Sequence, residues 1–260
     1  MQFTKALQHT IVWKALNTIL IFCINLLLVR ILGAESSGEF FFAVTALSFF
    51  ILILSGSVES GITYYGSNDS ANIASLSLLV LPWLLLQALA SWLLLRFLAV
   101  KVDQQLSWLF IISNLIILYF SALYYSKKWF LSLNLSVFIV NALVLMALYW
   151  IYKSDSKKLL DHASYYELTA KIYFGGFLLT AVLLTILFFT RAKFTKPAAT
   201  TSMRLAKKVF AYSGIAFVSN IIFFLVTRID YFFVEKFCDE AALSNYVQAS
   251  KMGQLFILLP

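Results

Sequence analysis

A chain of 260 residues that is 62% hydrophobic and only 12% charged lies outside the proportions of a water-soluble domain. Its formal net charge of +8 does not point to nucleic acid, because Lys and Arg gather in polar breaks beside long apolar runs, where the positive-inside bias of membrane proteins accounts for them. His9 and His162 lie outside those runs, no paired carboxylates face one cleft, and Cys23 and Cys238 match no metal or redox spacing. An enzyme is therefore not expected, and neither a metal nor any other cofactor is implied.

A bilayer core about 30 Å thick takes roughly 20 apolar residues per helix. Apolar runs of that length recur through the chain, and they are continuous rather than alternating, which predicts helices and not a barrel. The expected fold class is all-α integral membrane, with about eight transmembrane helices at 11–29, 40–60, 73–100, 107–125, 129–152, 172–190, 209–234 and 242–259.

The first span has no small-residue cleavage site and runs on into Arg30-Ile31-Leu32-Gly33, so it reads as a retained helix and not a secretory signal. Thr10, Lys14, Asn17, Thr18 and Asn25 fall on one face of it, a polar stripe that belongs against protein or water. Two readings of Lys14 stand: a cavity cation for an anionic pyrophosphate, or a side chain that snorkels to the interface.

On the second span Glu59 shares a face with Thr45, Ser48 and Ser55, either as a coupling carboxylate or partner of Lys14, or as a solvated helix end. Arg96, near the end of the third span, is expected to snorkel outward. Trp13, Trp108, Tyr124, Tyr125, Trp129, Trp150 and Tyr152 stand near span ends, as interface anchors do.

The longest basic segment, Arg191 to Lys208, follows the sixth span without an acidic residue and is expected to be cytoplasmic, as are the Lys127-Lys128 turn and the N-terminus. Ser213, Asn220 and Thr227 recur every seven residues on the seventh span, a seam facing either a lumen or another helix, with Arg228 and Asp230 beyond it as an ion pair or a headgroup site. Asn245, Gln248, Lys251 and Gln254 give the eighth span a polar edge, and Lys251 lies deep enough to serve a cavity.

The first and seventh spans also share a weak repeat. Val29-Arg30-Ile31-Leu32-Gly33-Ala34-Glu35 lies opposite Val234-Glu235-Lys236-Phe237-Cys238-Asp239-Glu240, and, after one inserted residue, Gly38-Glu39-Phe40 opposite Ser244-Asn245-Tyr246. The expected division is one six-helix bundle with its basic loop over 1–200 and the first two helices of a second bundle over 201–260. Two such repeats with a substrate site between them are a common transporter plan.

The turn from Leu28 to Phe40, with Arg30, Gly33 and Gly38 at its fixed positions, resembles the first-turn motif of the polysaccharide and O-antigen flippases of the multidrug/oligosaccharidyl-lipid/polysaccharide exporter superfamily. Arg228-Ile229-Asp230 and Asn245-Tyr246-Val247-Gln248-Ala249-Ser250-Lys251-Met252 are similar to its second-repeat motifs, although Ala34, Cys238 and Ser244 replace turn residues usual in the family. The family has twelve or more spans, so the resemblance makes a C-terminally truncated chain the expectation.

The resemblance implies a transporter of the cytoplasmic membrane that flips lipid-linked oligosaccharide by alternating access, with the N-terminus in the cytoplasm. Its partners would be a polyprenyl-pyrophosphate-linked glycan, membrane lipids and glycan polymerase machinery. Lys14, Asn17, Asn25, Arg228 and Lys251 are the candidate substrate-binding residues, and Glu59 and Asp230 the candidates for coupling or an ion pair. A drug/cation antiporter of the same superfamily, with acidic residues deep in its cavity, and an inactive fragment with a structural role are the alternatives; a membrane enzyme of glycan assembly stands behind them.

Overall fold

The computed structural model describes residues 2–68, 73–96, 102–155, 162–192 and 199–257. Every regular element among them is a helix: α1 (Gln2–Ser55), α2 (Val58–Asn68), α3 (Ile73–Leu95), α4 (Gln104–Ser126), α5 (Phe130–Asp155), α6 (His162–Arg191), α7 (Ala199–Phe237) and α8 (Glu240–Ile257). Seven stretches of the described residues are long and apolar enough to cross a membrane: Thr10–Gly33, Ser36–Ser55, Ser75–Leu95, Gln104–Ser126, Phe130–Ser154, Tyr165–Arg191 and Met203–Phe237. The expected crossing at 242–259 coincides with α8, whose described residues include Ser244, Asn245, Gln248, Lys251 and Gln254 and do not reach that apolar length.

Two breaks shape the first third of the chain. Gly33 has φ 77° and ψ 177°, a backbone region open essentially to glycine alone, so the expected turn between the first two spans is compressed to a break at one residue inside α1. The second break was not visible in the apolar run 40–60: Gly56 and Ser57 both take φ 54° and separate α1 from α2. Positive φ is strained for serine. The Ser57 amide donates to Ser55 Oγ at 3.2 Å, and Asn220 Nδ2 of α7 donates to Ser57 Oγ at 2.9 Å.

Inside a membrane each backbone group freed by such a break has to find a partner within the protein. Gln87 of α3 supplies one, donating to the Leu54 carbonyl at 2.5 Å, and also donates to the Tyr119 hydroxyl at 2.6 Å. Tyr119 of α4 reaches the Ser55 carbonyl at 3.4 Å. Gln87 stands near the middle of the 21-residue span Ser75–Leu95, so the break lies well below the surface of the bundle.

Helix α4 sits at the centre, starting from an Asp103 cap whose carboxylate accepts from the Gln105 and Leu106 amides at 3.0 Å each. It buries Phe110, Leu115, Tyr119, Phe120 and Tyr124. Phe110 meets Phe174 of α6 at 4.8 Å between centroids, and Phe120 meets Phe188 at 5.4 Å edge to face. Tyr124 is fully buried and donates to the Leu184 carbonyl at 3.1 Å; it is a core residue and not the interface anchor its place near a span end suggested. Trp150 and Tyr152, by contrast, are exposed at the end of α5.

The basic segment after α6 also differs from expectation. Residues 193–198 lie outside the described ones, but Arg204, Lys207 and Lys208 belong to α7, exposed on the side away from buried Leu205 and Val209. These charges mark an amphipathic first stretch of a long helix, not a loop.

Candidate functional site

A cleft of about 560 Å³ opens between α2, α4 and α7. Helix α2 is held between the other two by small residues. A methyl group at Gly61 would sit 2.6 Å from the Val209 carbonyl and 2.7 Å from Ser213 Oγ of α7, while Ser126 of α4 lies against Gly66 and donates to the Ile62 carbonyl at 3.2 Å. Helices in a membrane gain their attraction from such close backbone approach. The clamp fixes which face of α2 looks into the cleft.

That face carries Glu59, Ser60, Thr63, Tyr64 and Ser67, opposed by Ser121 and Tyr125 of α4 and Tyr212 of α7. The Tyr64 and Tyr212 rings stack at 4.7 Å with 10° between their planes, and Tyr65 meets Tyr64 edge to face at 5.1 Å. Glu59 is half-buried; its Oε2 is shielded from solvent and has no hydrogen-bond partner among the described residues. Among the described residues the cleft therefore offers an aromatic surface, a row of hydroxyls and one carboxylate, and no Lys or Arg lines it. Aromatic faces and hydroxyls suit a polyhydroxylated ligand, and a desolvated carboxylate suits a proton or a small cation.

The residues singled out in the sequence fall in three places. Glu59 lines the cleft, and the seven-residue seam of α7 packs beside it, with Ser213 against Gly61 and Asn220 on Ser57. The stripe on the first limb of α1 meets α5 through Asn17. Asn17 is buried, donates to the Asn134 carbonyl at 3.4 Å and accepts from Asn141 Nδ2 at 3.4 Å, and Trp13 packs edge to face on Phe138. Asn25 is half-buried on the same limb, and Lys14 is exposed.

The third group sits at the α7–α8 turn. Arg228 Nη1 donates to the Tyr231 hydroxyl at 2.9 Å, while Asp230 accepts from the Tyr246 hydroxyl and from the Tyr231 amide. The expected Arg228–Asp230 pair is replaced by these contacts, because residues two apart on a helix point to different sides. Lys251 belongs to α8, but its side chain lies outside the described ones. Arg96 stacks its guanidinium over Trp92 at 3.7 Å and is exposed, as a snorkelling side chain would be.

Tyr64, Tyr212, Gln87 and Tyr119 were not singled out in the sequence. The available signal was the run from Ser55 to Ser67, dense in Gly, Ser and Tyr and free of Lys and Arg at the end of an apolar span.

Helices of this length and apolarity define a multi-pass membrane protein of the all-α class. Residues 172–258 match the model of a family described as polysaccharide biosynthesis protein, which supports the polysaccharide and O-antigen flippase resemblance drawn from the turn motifs. The matched segment takes in most of α6, all of α7 and the described part of α8. Neither a curated protein nor a solved structure matches the chain. Together the spans and the family match fit a membrane protein of polysaccharide biosynthesis.

Proposed function

We propose that this protein flips a lipid-linked oligosaccharide across the cytoplasmic membrane by alternating access, with the α2/α4/α7 cleft receiving part of the glycan headgroup. The observation that carries this reading is the cleft itself: it lies where α7 meets the second and fourth crossings, and its walls are tyrosine rings and hydroxyls. The match over 172–258 to a family described as polysaccharide biosynthesis protein supports a glycan-bearing substrate. In the orientation set by the basic residues at 191–208, the cleft opens toward the cytoplasm, where lipid-linked sugars are assembled. We read α8 as an eighth crossing and α7–α8 as the start of a second bundle, so that rocking of one bundle against the other moves the headgroup while the polyprenyl tail stays in lipid. No catalysis is assigned to the chain.

In this reading Glu59 couples the movement to an ion, being the carboxylate among the residues described as lining the cleft. Arg228 stands sixteen residues, about 24 Å of helix, along α7 from Tyr212 of the cleft. Arg228 and Lys251 are therefore, in this reading, the candidates that meet the pyrophosphate as the headgroup leaves the cleft, and a membrane-embedded glycan polymerase is the natural recipient of the product.

A second reading rests on the same carboxylate. A cleft with one acid and no described cation is what a drug/cation antiporter of the superfamily would present. The two separate in cells dependent on this protein. Depletion leads a flippase to leave lipid-linked glycan accumulated on the cytoplasmic leaflet, whereas it leads an antiporter to leave glycan delivery intact and to sensitise cells to organic cations.

A further inference from the structure

Away from the cleft, a second groove of about 430 Å³ runs along the outside of the bundle between the first limb of α1 and α5. Its walls are Cys23, Leu26, Leu27, Leu145 and Met146, and Arg30 and Tyr149 stand at its end. The two helices run in parallel here, both approaching their C-terminal ends. Cys23 to Arg30 spans seven residues, about 10 Å of helix. Tyr149 and Trp150 are 56% and 73% exposed, and exposed Tyr and Trp at a span end mark the headgroup level of a bilayer. The apolar part of the groove therefore lies at acyl-chain depth, and Arg30 lies where lipid phosphates are.

Arg30 is exposed and makes no hydrogen bond or ion pair among the described residues. A guanidinium at the top of an apolar channel, with a tyrosine hydroxyl beside it, is complementary to one ligand: a phosphate carrying a hydrocarbon chain. We infer that this groove is a binding site for an anionic phospholipid, with one acyl chain lying between Cys23 and Met146 and the phosphate on Arg30. The site is distinct from the cleft and does not depend on what the cleft transports. A bound lipid there would also brace the first limb of α1 against α5 just beyond the Asn17 hydrogen bonds.

The test is native mass spectrometry of the full chain in detergent, titrated with an equimolar mixture of phosphatidylglycerol and phosphatidylcholine of the same acyl composition. The wild type is expected to retain phosphatidylglycerol preferentially. Arg30→Gln should lower that adduct about tenfold, the equivalent of one charge-assisted hydrogen bond, without changing the phosphatidylcholine adduct, and Arg30→Lys should restore much of it. Met146→Trp, which fills the groove, should remove both adducts. Glycerol 3-phosphate, which has the phosphate but no chain, should not compete. The inference is overturned if Arg30→Gln keeps the preference, if Met146→Trp keeps its lipid, or if glycerol 3-phosphate displaces phosphatidylglycerol.

Discussion

Gly38 and Ser244 lie against each other: a methyl group at Gly38 would sit 2.7 Å from the Ser244 Cα. These are the two residues that the internal repeat places opposite one another, and equivalent residues of two repeats touch only near an axis relating them. Ser37 and Ser244 hydroxyls stand 3.4 Å apart, and Gln248 Nε2 donates to Ser244 Oγ at 3.1 Å, which ties α8 to the second limb of α1 with polar groups. The contact joins the two segments that the repeat sets opposite each other.

It also gives a direct prediction. Gly38→Ala should destabilise the protein by about 1 to 3 kcal/mol through overpacking of backbone on backbone. Gly214→Ala on α7, where the added methyl meets nothing within 4 Å, should leave stability unchanged or raise it slightly. Thermal unfolding in detergent, followed by fluorescence-detected gel filtration, compares the two variants.

The break at Gly56–Ser57 depends on side chains that come from elsewhere in the chain. Gln87→Leu should orphan the Leu54 carbonyl and cost about 1 to 3 kcal/mol, and Tyr119→Phe somewhat less. Because both serve one end of α1 and bond each other, the double variant should lose less than the sum of the two. A double-mutant cycle on unfolding midpoints measures that coupling.

Asn17 separates packing from transport. Its bonds to Asn134 and Asn141 assign it to the α1–α5 contact, so Asn17→Leu should lower stability by about 0.6 to 1.7 kcal/mol, the range of interhelical hydrogen bonds in membranes. Rescued by lower temperature, the variant should transport at the wild-type rate. A transport defect that persists in fully folded protein would return Asn17 to the substrate path.

For Glu59 the expectation is the reverse. Glu59→Gln keeps the shape and removes the charge whose Oε2 is shielded without a partner, so folding should be unaffected or improved. Transport should fall at least about tenfold and lose its dependence on an imposed ion gradient, as expected when a coupling group is fixed in its neutral form. Equal transport in the variant, with its gradient dependence intact, would remove Glu59 from the coupling role.

The spans were legible because twenty continuous apolar residues have few other uses. Their ends were not. Arg204, Lys207 and Lys208 made the start of α7 read as a loop, although Leu205 and Val209 carry the buried face of a helix. The break after Ser55 was hidden because one glycine and one serine hardly change the apolarity of a run, while the groups that satisfy the break, Gln87 and Tyr119, come from α3 and α4. Ser213 and Asn220 could be found from their seven-residue spacing along α7, whereas the face expected to join Glu59 to Thr45, Ser48 and Ser55 is divided by the break, which leaves those three on α1 and Glu59 on α2. Tyr64 and Tyr212 could not be found, since a tyrosine near a span end is ordinarily an interface anchor, and only the fold brings these two rings, far apart in sequence, into a stack.

The central claim, that the α2/α4/α7 cleft admits the headgroup of a lipid-linked glycan, is tested most directly with the purified chain in proteoliposomes carrying a fluorescent polyprenyl-pyrophosphate oligosaccharide, whose two leaflets are told apart by a membrane-impermeant quencher. The wild type should move the lipid between leaflets well above protein-free vesicles, and Thr63→Trp, which fills the cleft without touching the α2 clamp, should return the rate to that background while the protein stays folded. Translocation by Thr63→Trp at the wild-type rate, or none by the wild type in any orientation or ion gradient, would contradict the account.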